Sequence, residues 1–405
     1  MTQFLPSFPL HTTPLISFAF ILLLGFIAGE LVKYTRFLPK IFGYIAIGFL
    51  IGPDGLNIVT HSLLVNSKIF IDISLGIILF ELGRHLDFSW LRYDRALLPT
   101  SITESGLTFV LVFLVLHFFG LSWLQAALGG TIAIATSPAV VMTVAYDLAS
   151  VGPVTRRTLI LTSLNNLFAL VIFSFLLPIS NAHNLGILNI FMHIFYRLFG
   201  SMILVICLLI LMKLLARLTG KQKESQFILF LGIVLLTIGI ASILNLSTLL
   251  TLFILGVAAR NFDHEHLLME VNFGWLARIF FILLFVITGV YLKLGTVSNI
   301  IWIALTLIFI RLIAKITGLF FVGKYSRLTK KQSLAISFAL TPMAGVAIGM
   351  TTMLTDFNPN FGTQLNQIIS FVIALLTIIG PVVTQLAFLK TGEAYPMQTE
   401  GRYNE

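Results

Sequence analysis

The chain has 405 residues, of which 58% are apolar and only 10% are charged, and its formal net charge is +9. A soluble domain typically carries about 25% charged residues, so this chain has too little polar surface to cover a water-soluble body of its size. Its long apolar blocks and its single cysteine exclude a nucleic-acid-binding module, a secreted disulfide scaffold and a disordered protein. The composition predicts an all-α polytopic membrane protein.

Thirteen apolar segments follow one another along the chain as candidate membrane spans. A helix needs about 20 mostly apolar residues to cross about 30 Å of hydrocarbon. The second and ninth segments are short, which predicts tilted, partly re-entrant or broken helices. The first segment is too long, and its N-terminal flank too poor in Lys and Arg, for a cleaved signal peptide. The segments are 14–34, 38–53, 68–84, 96–119, 123–147, 155–178, 186–218, 226–244, 247–260, 273–293, 298–322, 332–356 and 364–388.

The basic residues predict the orientation of these spans. Lys and Arg concentrate in cytoplasmic loops. Of the 25 Lys and Arg residues, 20 fall on one side of the predicted topology, two on the other, and three within spans. We therefore expect a multi-pass protein of the cell (inner) membrane, with the N-terminus outside and the C-terminus in the cytoplasm. This bias and anionic lipid headgroups account for the positive charge, so no nucleic-acid partner is needed.

The fifth and twelfth segments each carry a Ser/Thr-Pro sequence near the middle. Thr136, Ser137 and Pro138 interrupt the fifth, and Thr341 and Pro342 interrupt the twelfth. Proline breaks a helix, and a broken helix is tolerated at membrane depth where it lines a cavity or is buried in protein. The two segments are an odd number of spans apart and so run antiparallel. This pattern predicts two inverted-topology repeats, with broken helices that cross at the midplane and offer carbonyls to a cation.

Five further polar residues lie at a similar depth. Asn165 and Asn166 are roughly 15 Å from the cytoplasmic end of the sixth segment, at 1.5 Å per residue. Glu104 lies in the fourth segment, and Arg311 and Lys315 share one face of the eleventh, because they are four residues apart. Ionisable groups inside spans are costly and are candidates for a functional site.

The spans and the two helix breaks divide the chain into two repeats, without a soluble domain. Loops are short, and we find no P-loop, no metal-ligand run and no Ser-His-Asp arrangement, so we expect neither an enzyme nor a cofactor. The predicted parts are an external tail 1–13, a first repeat 14–178 with the ion-site helices 123–178, a linker helix 186–218, a second repeat 226–388 with the broken helix 332–356, and a cytoplasmic tail 389–405.

Five motifs in this order resemble those of one family. They are the runs 38–53, 79–87, 135–141, 280–289 and 380–393. Together they cover nearly the whole chain and are similar to the monovalent cation/proton antiporter superfamily. This superfamily contains the sodium/hydrogen exchangers, bacterial sodium/proton antiporters and glutathione-gated potassium-efflux transporters. The resemblance implies exchange of sodium or potassium for protons by alternating access, with a monovalent cation as the only metal, near Asn166, and a homodimer in membrane lipid.

The chain departs from the family pattern at its ion site. In the family, the helix that corresponds to 155–178 carries Asp-Asp or Asn-Asp, and the second residue is the carboxylate that binds the cation or the proton. Here Asn166 stands in that place. An amide oxygen can bind a cation but does not titrate near neutral pH. Asn166 therefore cannot perform the exchange by itself.

Two residues are candidates for the missing titratable group. Glu104 can carry the proton if helix packing brings it to the cavity, and Lys315 can lose its proton when it is desolvated. Arg311 stays charged, and we expect it to pair with Glu104. If neither Glu104 nor Lys315 titrates, the chain is instead an uncoupled cation pathway or a non-transporting membrane relative with a binding or regulatory role.

Overall fold

The computed structural model describes residues 14–34, 40–59, 68–180, 187–220, 222–263, 268, 274–290, 298–326 and 328–394. Within these ranges the chain is helical, without a β-strand. The predicted external tail 1–13 lies outside the described residues, as does the predicted cytoplasmic tail from residue 395 onward.

The helices follow the predicted spans closely. In chain order they are α1 (Pro14–Lys33), α2 (Lys40–Ile51), α3 (Lys68–His85), α4 (Phe88–Tyr93), α5 (Leu97–Phe118), α6 (Trp123–Ile134), α7 (Pro138–Asp147), α8 (Pro153–Ile179), α9 (Ile187–Thr219), α10 (Lys223–Ile243), α11 (Thr248–Asn261), α12 (Gly274–Val290), α13 (Ser298–Ser326), α14 (Lys330–Ala339), α15 (Gly345–Phe357) and α16 (Pro359–Thr391).

The predicted fold class, an all-α polytopic membrane protein with broken helices, is confirmed. Among the described residues, seven helical segments are long and apolar enough to cross a membrane. Shorter apolar helices accompany them, including α2 and α11, which match the two short predicted segments. The count of thirteen spans stays a prediction.

The first predicted helix break separates α6 from α7. Ser122 begins α6 with a capping box, in which its hydroxyl accepts from the Gln125 backbone and the Gln125 side chain accepts from the Ser122 backbone. The helix ends at Ile134. Ser137 then caps α7, accepting a hydrogen bond from Val140 N at 3.3 Å. Pro138 occupies the first turn of α7, where its missing N–H costs nothing.

The second break separates α14 from α15 in a similar way. Thr329 and Gln332 form a capping box at the start of α14, as Ser122 and Gln125 do for α6. The helix ends at Ala339, and α15 begins at Gly345. Both predicted breaks therefore interrupt a helix. Each is preceded by a short helix whose N-terminus is stabilised by a capping box.

Close packing of α13 against α5 and of α16 against α14 positions the site. A Cβ on Gly318 would lie 2.6 Å from Glu104 Cα, so the absence of a side chain at Gly318 lets α13 approach the backbone of α5. A Cβ on Gly380 would lie 2.8 Å from Pro342 Cα, and α16 thereby approaches the second break. One turn before Gly318, Lys315 is brought beside Glu104.

Candidate functional site

The unwound segments of the two broken helices contact each other directly. Ser137 N donates a hydrogen bond to Pro342 O at 2.8 Å, and Thr136 Oγ1 donates to Leu340 O at 3.2 Å. Thr341 Oγ1 donates to Phe338 O, within its own break. Thr136, Ser137, Thr341 and both prolines are buried. The five predicted residues of the breaks therefore lie in one buried crossing.

Arg311 of α13 joins the two breaks through backbone carbonyls. Its Nε donates to Ala133 O at 2.8 Å, its Nη2 to Ala135 O at 2.9 Å, and its Nη1 to Thr341 O at 2.6 Å. Carbonyls at the end of a helix carry partial negative charge and lack intrahelical donors. The guanidinium satisfies carbonyls of both breaks at once, which is the role that a bound cation would otherwise have.

Glu104 of α5 and Lys315 of α13 form a buried ion pair. Lys315 Nζ donates to Glu104 Oε1, and the two side chains are 0% and 1% exposed. The pair that we expected between Glu104 and Arg311 is not the one that forms. The reason is geometric. The guanidinium of Arg311 donates its hydrogen bonds to backbone carbonyls, while Lys315, one turn further along α13, reaches the carboxylate of Glu104.

Asn165 connects this ion pair to α8. Its Nδ2 donates to Glu104 Oε2 at 2.6 Å. Its Oδ1 accepts from Ser101 Oγ at 2.7 Å and from Ser105 Oγ at 3.0 Å. Both oxygens of Glu104 therefore have a donor, one charged and one neutral, which offsets the cost of burying the carboxylate.

Asn166 points to the first break. Its Nδ2 donates to Thr136 O at 2.7 Å and to Thr162 O at 2.8 Å. In the described part of the chain, Asn166 Oδ1 and Thr162 Oγ1 are buried and have no hydrogen-bond partner. Buried polar atoms are nearly always paired, so an orphaned amide oxygen beside an unwound helix is a candidate cation ligand.

Sequence reasoning missed the polar face of α5. Ser101, Ser105 and Thr108 lie with Glu104 on one side of the helix, and all four side chains are buried. Thr108 Oγ1 lies 3.5 Å from Glu104 Oε1. The signal was available: these residues repeat at helical spacing on an otherwise apolar span.

The site has more positive than negative charge when all of its groups are ionised. Arg311 and Lys315 face one carboxylate, Glu104, and Lys315 Nζ also lies 3.5 Å from Thr136 Oγ1. Like charges repel strongly at short range where water is excluded. An additional cation can therefore bind to Glu104 only when Lys315 is neutral or displaced.

A separate group of ion pairs ties helices together at the ends of the apolar spans. Arg260 Nη2 pairs with Asp87 Oδ2 at 3.0 Å, and Arg157 Nη2 pairs with Asp94 Oδ2 at 2.7 Å. Burial alone would raise the pKa of Asp87, but hydrogen bonds from Ser89 and Arg260 outweigh it and lower that pKa below its usual value. Both carboxylates thus link the ends of helices.

Comparisons with known proteins address the fold and the family of this chain. The family model described as sodium/hydrogen exchanger, transmembrane, matches residues 16–390. The structure of the sodium proton antiporter MjNhaP1 from Methanocaldococcus jannaschii at pH 8 is 20% identical and superposes with a TM-score of 0.68, covering 93% of this chain and 98% of that one.

A second structure of MjNhaP1, from electron microscopy, is 18% identical with a TM-score of 0.68, over 96% of this chain and 98% of that one. A comparison with curated proteins finds no match. At this identity the two structures establish the fold, and the family model covers nearly the whole chain. The predicted family is confirmed: this chain belongs to the sodium/hydrogen exchangers, a family of membrane transporters.

Proposed function

We propose that this protein exchanges a monovalent cation, sodium or potassium, for protons across a membrane by alternating access. Family membership supports this function, and so does the fold shared with a sodium/proton antiporter. The observation that carries the proposal is the buried ion pair between Glu104 and Lys315. This pair supplies the titratable groups that Asn166 lacks.

The exchange follows from competition for one carboxylate. While Lys315 is protonated, its ammonium neutralises Glu104. When Lys315 releases its proton, Glu104 Oε1 is left without a counter-charge, and a monovalent cation can take the position of the ammonium, beside Thr136 Oγ1. Asn165 continues to hold Glu104 Oε2. One cation replaces one proton, so the charge of the site is unchanged and the exchange is electroneutral.

Arg311 and Asn166 have different roles in this scheme. Arg311 does not titrate and holds the crossing together in both states. Asn166 donates to Thr136 O, and Thr136 Oγ1 lies beside Lys315 Nζ, so we assign the unpartnered Asn166 Oδ1 a supporting role for the incoming cation. Ser137 and Thr341 fix the crossing through the backbone contacts described above.

The basic residues support the proposed placement in the inner membrane. The 20-to-2 bias supports an external N-terminus and a cytoplasmic C-terminus. A reporter fused after residue 405 should therefore be cytoplasmic, and one inserted at residue 182, which lies outside the described residues, should be external. Labelling of both reporters on one side of the membrane would contradict this topology.

We also propose that the protein forms a homodimer in lipid, as the family resemblance implies. Measurement of the particle mass in detergent or nanodiscs tests this proposal.

Ion flux in purified proteoliposomes tests the exchange directly. With a pH-sensitive dye inside, an imposed sodium or potassium gradient should change the internal pH, at a rate independent of an imposed membrane potential. Lys315→Gln should abolish this pH change. The matched control is Lys40→Gln, because Lys40 also pairs with a carboxylate, that of Glu30, at the margin of the protein. Cation movement without a pH change in the wild type would favour the uncoupled pathway instead.

A further inference from the structure

A cavity opens on the bilayer-facing side of the protein, next to the ion-pair network. Its volume is about 230 Å³, and α5, the end of α6 and α8 form its walls. Ile102 and Gly106 of α5 lie at its mouth, and Ile102 is 54% exposed. A Cβ on Gly106 would meet no atom within 4 Å, so this glycine leaves the mouth open. Ile134 lies at the inner wall and is 1% exposed.

The chemistry of the walls favours hydrocarbon over water. Phe109, Ile134, Phe168 and Ile172 are apolar, and Ser105 is the polar side chain among the described residues that line the cavity. The Ser105 hydroxyl already donates to Asn165 Oδ1. A buried water needs two to four polar partners, whereas an apolar cavity of about 150 Å³ stays dry and takes up a benzene-sized molecule. Water therefore has too few partners here.

The position of the cavity identifies its occupant. Ser105 follows Glu104, so the cavity lies at the depth of the ion pair, which the sequence places near the midplane of the membrane. Each leaflet contributes about half of the 30 Å of hydrocarbon, and the ends of acyl chains therefore lie at this depth. A cavity that opens sideways through Ile102 and Gly106 meets those chain ends and no other ligand of comparable concentration.

We propose that this cavity binds the end of a lipid acyl chain. The chain packs against the lipid-facing side of Ser105, whose hydroxyl belongs to the network with Asn165 and Glu104. The network itself is already closed to water, because Ser105, Glu104 and Lys315 are at most 3% exposed. Binding of the acyl chain does not depend on ion exchange, and this inference can fail or hold independently of the proposed function.

Photoreactive phospholipids test the inference in the wild-type protein. A diazirine at the end of the acyl chain should label Ile134, which lines the cavity and is 1% exposed, and a diazirine near the headgroup should not. Phe309, which is exposed on α13, is the positive control, and Phe253, which is fully buried, is the negative control. Labelling of Ile134 no stronger than that of Phe253 would overturn the proposal.

A cavity-filling variant provides the second arm. Gly106→Leu places a side chain in the open mouth, so the label on Ile134 should be lost while the label on Phe309 is unchanged. Because leucine supplies the same apolar closure, the variant should retain dye-reported exchange. Undiminished labelling of Ile134 in this folded variant would overturn the site.

Discussion

The two broken helices satisfy their unwound carbonyls with different kinds of donor. At the first break, Ala133 O and Ala135 O accept from Arg311, and Thr136 O accepts from Asn166. All three donors thus belong to charged or amide side chains of the candidate site. The conformation of the first break therefore depends on side chains of the proposed ion site.

The second break is held by a mixed set of donors. The carbonyls of 340–343 accept, in chain order, from Thr136 Oγ1, Arg311 Nη1, Ser137 N and Thr377 Oγ1. Only one of these donors is charged, and α16 packs closely over this break through a glycine. We infer that the first break responds to ion binding and that the second acts as its fixed support.

Replacement of Arg311 should have the largest effect, because this residue serves both breaks. Arg311→Met leaves three buried carbonyls without a donor, and hydrogen bonds from charged groups contribute about 1.5–3 kcal/mol each, so we expect a stability loss above roughly 5 kcal/mol. The variant should therefore unfold at a much lower temperature than the wild type or fail to insert. Thermal unfolding of the purified protein measures the loss of stability, and an absence of inserted protein shows the failure to insert.

The control for Arg311 is another arginine beside a carbonyl. Arg197 donates to Asn245 O at 3.2 Å in an exposed contact, and Arg197→Met should change stability little. A stable Arg311→Met protein would show that the two breaks do not share this support.

Glu104→Gln should have the next largest effect. It leaves Lys315 buried without its counter-charge, which costs about 3–5 kcal/mol. The double variant Glu104→Gln, Lys315→Met should recover stability, because the charge is then removed, but not exchange. Thermal stability and dye-reported flux on the same preparations separate the two properties. A Glu104→Gln protein with wild-type stability and wild-type coupled flux would contradict both roles of the pair.

Asn166→Asp should have a smaller effect on stability and a distinct effect on transport. The variant loses two donated hydrogen bonds, to Thr136 O and Thr162 O, at a cost of about 2 kcal/mol. It also adds a titratable group beside the first break, so cation-induced proton release should appear or increase, with an altered pH profile. An unchanged pH profile in a folded variant would argue against placing Asn166 at the ion site.

The sequence predicted the breaks well and the pairing within the site less well. Pro138 and Pro342 mark both breaks, because proline acts on its own backbone and needs no partner. The partner of Glu104 depends on the rotation of α13 against α5, which Gly318 sets through a close helix contact. Charge alone suggested Arg311, whereas the structure pairs Glu104 with Lys315. Local chemistry is readable from one segment, but the sequence does not show which side chains pair between segments.

Two threonines allow the smallest and most specific test of the comparison. Thr136→Val removes a hydroxyl of the first break that donates to Leu340 O, and Thr377→Val removes a hydroxyl of α16 that donates to Met343 O; both carbonyls belong to the second break. Valine has a similar shape, so each variant should lose about 1 kcal/mol of stability. Only Thr136 also has its hydroxyl near Lys315 Nζ, where we place the cation. Thr136→Val should therefore raise the cation concentration needed for half-maximal exchange, while Thr377→Val should leave it unchanged.

Dye-reported flux over a series of sodium and potassium concentrations measures the half-maximal concentration, and thermal unfolding of the same preparations measures the stability. If Thr377→Val raised the half-maximal concentration as much as Thr136→Val, the second break would respond to the ion as well, and the division between a responsive and a supporting break would be wrong.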